Sequence, residues 1–195
     1  MPTIDIWNDK NDDISYIVSE LGDTVKVDGN EQQILINHKS VGDVEEKKIR
    51  SLERIKRGSL VEIEDFQYLQ IADVNLRNGM LYEGIVRRCN AKLPTTVCEN
   101  VIIGYDPMWG DPVYESTCRT EYNIPSIVDG KVFTATQNQA INLVQNEISV
   151  TIQENDMNKE NYGLNKQMII LDRNYKVIAV DNTKSGLLIL NCKSA

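Results

Sequence analysis

The side chains able to do chemistry are few and scattered. His38, in Ile36-Asn-His-Lys-Ser40, is the single histidine of the chain. A catalytic imidazole needs a cysteine, serine or carboxylate partner, and none stands at motif spacing. A strand-end or loop histidine is the plainer reading. Cys89 follows Arg87-Arg88, and cationic neighbours can depress a thiol pKa and make it nucleophilic. Packing competes with that reading, because Cys89 and Cys192 occupy matching places at the ends of apolar strands. Zinc would require Cys89, Cys98, Cys118 and His38 to assemble across long separations without paired-knuckle spacing. Asp106, Asp111 and Glu115 offer oxygen ligands in a Pro/Gly-rich stretch but lack the fixed spacing of a calcium loop. Glu62 and Glu64 fall on one face of a strand, ordinarily its solvated side. Arg87-Arg88 and Lys56-Arg57 are read first as charges that keep strand edges from mispairing. There is no GxGxxG, P-loop, nucleophile elbow or kinase signature. We expect no catalytic, cofactor-binding or metal-binding residues, and no enzyme.

The elements that would position such groups point to β structure. Residues 61–75 can be laid on 168–182 without a gap. Ile63/Ile170, Asp65/Asp172, Tyr68/Tyr175, Ile71/Ile178, Ala72/Ala179 and Asn75/Asn182 are identical, and Gly79/Gly186 and Leu81/Leu188 extend the register. Such a recurrence predicts two related β units. Asn11-Asp12-Asp13 caps a short helix near 12–21 with Ile14, Ile17, Val18 and Leu21 on one face, stopped at Gly22. Thr24–Val27 and Gln33–Ile36 flank Asp28-Gly29 as a hairpin. Residues 43–57 allow a helix or an edge strand around Ile49, and the strand is favoured. Val61–Glu64, Tyr68–Ile71 and Leu81–Asn90 form a meander, in which Gly84 marks a bulge or close backbone approach.

Residues 93–130 carry Pro94, Pro107, Pro112 and Pro125 with Gly104, Gly110 and Gly130, and predict a loop-rich connection. Strands are expected only at its ends, Val101–Tyr105 and Lys131–Thr134. A loop of that length needs a task, and reaching a neighbouring subunit is one. Asn146–Ile152 alternates as a strand, and 154–161 reads as a polar loop. The fold expected is therefore mainly β: two small related β-barrel or sandwich units with a short N-terminal helix. The N-terminal unit spans 1–92, the connection 93–130 and the C-terminal unit 131–195.

Composition narrows the partners. The 195 residues carry a net charge of −8, which opposes whole-surface binding to duplex nucleic acid. No apolar run is long enough to span a membrane, and Met1–Asp9 has no signal-peptide pattern. Four cysteines without a CxxC then predict reduced thiols in a protein made in the cytoplasm.

The strings Ile55-Lys-Arg-Gly58-Ser-Leu-Val61, Tyr68-Leu-Gln-Ile71 and Gly84-Ile-Val-Arg-Arg-Cys-Asn90 resemble small structural proteins of tailed bacteriophages of low-GC Gram-positive hosts. Tyr175-Lys-Val-Ile-Ala-Val-Asp181 and Gly186-Leu-Leu-Ile-Leu190 resemble the C-terminal half of the same proteins, so the likeness covers roughly 20–92 and 125–192. It implies a neck component: a head-closure or adaptor subunit that forms a homo-oligomeric ring between portal and tail proteins. Packaged DNA would meet it only by passing through the channel, no membrane would be involved, and the chain would reside in the virion after assembly in the host cytoplasm. No catalytic residue is carried over. A tail or baseplate subunit, or a host β-barrel binding module, are the competing readings. Association with tail-tube proteins would favour the first, and a monomer with one concave polar site the second.

Overall fold

The computed structural model describes residues 9–41, 44–77, 81–130 and 147–195. Helix α1 (Asp9–Leu21) precedes nine strands: β1 (Asp23–Val27), β2 (Asn30–Val41), β3 (Val44–Ser51), β4 (Leu60–Ile63), β5 (Phe66–Gln70), β6 (Asn75–Arg77), β7 (Leu81–Arg88), β8 (Ala91–Tyr105) and β9 (Pro112–Gly130). Strand β10 (Glu147–Gln153), helix α2 (Asp156–Asn161), and β11 (Gln167–Ile170), β12 (Arg173–Asp181) and β13 (Leu187–Ser194) complete the chain. The protein is mostly β, with two barrel or half-barrel units and a short N-terminal helix, as expected.

The first unit closes on itself. Its strands run β3-β2-β1-β4-β5-β7, and β3 pairs again with β7, while β6 adds to the β7 edge. Val25, Ile34, Ile49, Val61, Ile63, Tyr68 and Val86 alternate inward and are buried together. The tight β1–β2 turn is Asp28-Gly29, both at positive φ (48° and 84°), so it is a two-residue connection, shorter than the sequence suggested. Strand β3 confirms the strand reading around Ile49. Helix α1 docks through Val18, while Ile17 and Leu21 of its expected apolar face are exposed.

The second unit is an open six-stranded sheet, β11-β12-β13-β10-β9-β8. Leu93, Val150, Ile152, Tyr162, Ile170, Tyr175, Val177, Leu188 and Leu190 fill its concave side. The sequence repeat is real at the level of one hairpin. Val61 faces Tyr68 and Ile63 faces Phe66, just as Met168 faces Tyr175 and Ile170 faces Arg173. Both turns use a positive φ at their first residue, Glu64 (54°) and Leu171 (48°). Beyond Tyr68 and Tyr175 the copies diverge, because a register shift between Val177 and Ala179 breaks the second strand. Gly79 lies outside the described residues.

Three expectations are corrected. Residues 93–130 are no loop-rich connection: β8 and β9 form one long antiparallel hairpin belonging to the second sheet. The polar stretch 154–161 contains α2, capped by the Asn155 side chain accepting the Asn158 N–H at 2.7 Å. Gly84 makes room for a side chain rather than a backbone, since a Cβ there would overlap the amide of Gln70, which is fully buried. The strand expected at Lys131–Thr134 lies outside the described residues.

Candidate interaction arm and the junction that holds it

The two units meet at a pair of glycines. Gly58 and Gly186 both sit at positive φ (87° and 89°), and a Cβ on Gly58 would overlap the Gly186 carbonyl. Polar contacts surround this touch. The Arg57 Nε donates to the Ser185 carbonyl at 2.9 Å, and the Gly186 N–H donates to Glu154 Oε2 at 2.7 Å. Gln153 Nε2 donates to Asp28 Oδ1 at 3.1 Å, and Arg87 forms a two-pronged ion pair with Asp129. Leu69, Ile127 and Leu187 bury a small apolar cluster beneath these bonds.

From this junction the β8–β9 hairpin leaves the sheet. Its root is held firmly. The Asn90 side chain donates to the Val128 carbonyl at 2.9 Å and accepts the Val128 N–H at 2.7 Å. The Tyr162 hydroxyl donates to the Pro94 carbonyl at 2.5 Å, and Leu93 is fully buried. Past Thr96 the two strands pair only with each other, from Val97 opposite Arg119 to Tyr105 opposite Pro112. At about 3.3 Å per residue this free ribbon projects roughly 30 Å. Asp106 orders its tip by accepting the N–H groups of Met108 (2.7 Å) and Trp109 (3.0 Å). The tip presents Met108 at 82% and Trp109 at 77% exposure, above Ile102, Ile103, Tyr105 and Tyr114, also exposed. A concentration of exposed apolar side chains on an isolated ribbon marks a surface made to be covered.

Cys118 is disulfide-bonded, and the residue opposite it in the ribbon ladder is Cys98. A disulfide at Cys118 overturns the expectation that all four cysteines are reduced. Cys89 is a thiol packed at the edge of the junction cluster, and burial pushes its pKa up to about 12, away from activation. Its Arg87 neighbour is committed to Asp129 and Arg88 to Glu45. A thiol reagent at pH 8 is therefore expected to leave Cys89 unmodified in the folded protein and to label it within minutes in denaturant without reductant. Rapid labelling of native Cys89 would refute this.

The remaining candidates do not converge. His38 lies within β2 opposite Lys47, not at a strand end. Glu62 is in β4 while Glu64 is in the turn, so they share no strand face, though both line a recess of about 620 Å³ with Arg88 and Lys92. Asp106, Asp111 and Glu115 are spread along the arm tip. Among the described residues no group of three or more His, Cys, Asp or Glu side chains could hold a metal, and no helix is long and apolar enough to cross a membrane.

Among the described residues four carboxylates are held below their usual range, one of them Asp181, which accepts the Thr183 N–H at 2.9 Å. Glu45 accepts from the Tyr68 hydroxyl (2.6 Å) and pairs with Arg88, and Glu83 accepts from Lys48 (2.7 Å) with Arg50 and Arg77 beside it. Glu154 pairs with Lys159 and accepts the Gly186 N–H. For the three glutamates a depressed folded-state pKa stabilises the fold above the unfolded value of 4.5 and loses that contribution as pH falls through the folded values. Urea midpoints should thus be flat from pH 7 down to about 5 and then drop. Glu154→Gln should flatten part of that drop, and a midpoint that rises on acidification would contradict the assignment.

The division between barrel and open sheet coincides with two family models. The YomX N-terminal domain matches residues 4–88 and the YomX C-terminal domain residues 94–193. The chain belongs to the YomX family. That family is phage-derived, so the chain is a phage-associated protein. No curated protein and no solved structure is significantly similar to it. The first YomX domain is the closed barrel, and the second comprises the open sheet together with its arm. Sequence reasoning missed the arm as structure, and the signal that could have found it was the apolar run Val101-Ile-Ile103 facing Val113-Tyr114 across an Asp-Pro-x-x-Gly turn.

Proposed function

We propose that this chain is a structural component of a tailed-phage virion, a ring-forming head–tail connector of the head-closure or adaptor type between portal and tail. It works by contact rather than catalysis. The observation that carries the reading is the anchored arm with its exposed apolar tip, a device for gripping another protein. The two units in close backbone contact at Gly58 and Gly186 form the base from which such an arm can act. The net charge of −8 suits a ring whose lumen passes DNA without retaining it. Localisation in the virion, after assembly in the host cytoplasm, follows from the same reading. The test is particle composition. Purified virions should contain this chain in multiple copies, and imaging should place it between portal and tail. Its absence from mature particles would end the proposal, whereas density along the tail or at the baseplate would favour the tail-subunit alternative.

A further inference from the structure

The arm tip and the root of the arm are chemically matched, and they cannot meet within one chain. At the root lies a second recess of about 310 Å³, between the β8–β9 base and the free edge of β11. Its walls are Thr96, Tyr162, Gln167, Met168 and Ile169, and its single charged lining residue is Lys166. Exposed Leu164 and Leu171, with Ile169, continue the apolar surface around it. The arm has the opposite character. Residues 93–118 contain no lysine or arginine, and the outer ribbon carries Asp106, Asp111 and Glu115 beside its apolar side chains, while Glu99 lower on the ribbon is paired with Arg119.

We propose that the Met108-Trp109 tip of one copy seats in the Lys166 recess of a second copy of this chain, linking subunits tip to root. The inference rests on the connector reading and names the partner of its arm. Three observations select the occupant. The two strands stay paired from Thr96 to the tip with a single bulge between Ile102 and Gly104, so the tip stands roughly 30 Å from its own recess and cannot fold back into it. The tip's carboxylates complement Lys166, whereas in the larger recess Glu62, Glu64 and Asp65 outnumber Arg88 and Lys92, and Arg88 is already paired with Glu45, which disfavours that one. The same carboxylates oppose insertion into a membrane of anionic lipid. Because tip and recess are different surfaces, the contact is heterologous and propagates from copy to copy, closing into a ring where the rotation permits.

The test compares wild type with Trp109→Ser, Asp111→Lys, Lys166→Glu and the Asp111→Lys/Lys166→Glu double variant by sedimentation and native mass measurement. All three positions are exposed, and circular dichroism verifies that each variant is folded. Wild type should assemble, and each single variant should weaken self-association about tenfold or more, as expected for a central anchor. The double charge swap should recover most of it. Wild type that stays monomeric at high concentration, single variants that assemble like wild type, or a swap without recovery would each overturn the proposal. Binding to purified portal and tail proteins, measured on the same samples, separates the two readings. Retained binding without self-association overturns only the tip-to-root contact, whereas loss of both removes the connector reading as well.

Discussion

Gly186→Ala is expected to unfold this protein at markedly lower denaturant, by roughly 3–5 kcal/mol. The new Cβ would overlap the Arg57 carbonyl oxygen, a backbone atom that cannot step aside because Arg57 is tied to Ser185 and Asp73. Alanine would also have to hold φ at +89°, a region that costs an L-residue about 1–2 kcal/mol by itself. Relieving the clash means separating the units, which surrenders the Arg57–Ser185 and Gln153–Asp28 bonds and uncovers Leu69, Ile127 and Leu187. A single unfolding transition should therefore broaden or split in two. Gly29→Ala is the control, because Gly29 shares the positive φ (84°) but a Cβ there meets nothing within 4 Å. It should cost only about 1 kcal/mol. Equal effects at the two glycines would mean that backbone conformation alone, and not the approach of the two units, sets the requirement.

Truncating the paired tyrosines should be nearly as damaging and more informative. Tyr68 and Tyr175 hold the same place in the repeated hairpin, each anchoring a different core, with exposures of 0% and 7%. Either change to alanine removes a buried ring and should cost about 3–5 kcal/mol. Phenylalanine should tell them apart. The Tyr68 hydroxyl donates to Glu45, and burial together with that bond raises its pKa far above the ordinary tyrosine value. Tyr68→Phe should cost about 1 kcal/mol, toward the low end for a bond to a charged group because the Glu45 side chain is 45% exposed. Among the described residues no hydrogen bond holds the Tyr175 hydroxyl, so Tyr175→Phe should leave the urea midpoint unchanged. Matching losses in both phenylalanine variants would show that the two hairpins kept the same hydroxyl role.

The first barrel was legible because its strands have one wet and one dry face. Alternation at Val61/Ile63 and the tight turns at Asp28-Gly29 and Glu64-Asp65 are direct consequences of that arrangement. The arm was illegible for the converse reason: both faces of a free two-stranded ribbon meet solvent, so no period-two burial pattern is imposed on its sequence. Its prolines also misled. Pro94 sits at a register shift, Pro112 is the first residue of β9, and the strand edges past Thr96 face no further strand, so the missing N–H groups cost nothing in the sheet. Helix α2 is a single capped turn and a half, too short for a helical period to emerge. The glycine contact was half visible. Gly186 stood out in the repeat, but only the fold shows that it touches Gly58 rather than serving a turn alone.

The way the ribbon is rooted also makes the molecule mechanically anisotropic. Strand β9 continues past Ser126 to pair with β10 through Ile127–Gly130, so a pull along the ribbon axis loads that ladder in shear, with several bonds sharing the force at once. A sideways push at the far end acts instead through a long lever, and its torque falls on the Asn90 and Tyr162 clamps one after the other. Stress transmitted lengthwise along the ribbon would thus be borne stiffly, while bending would yield first at the root.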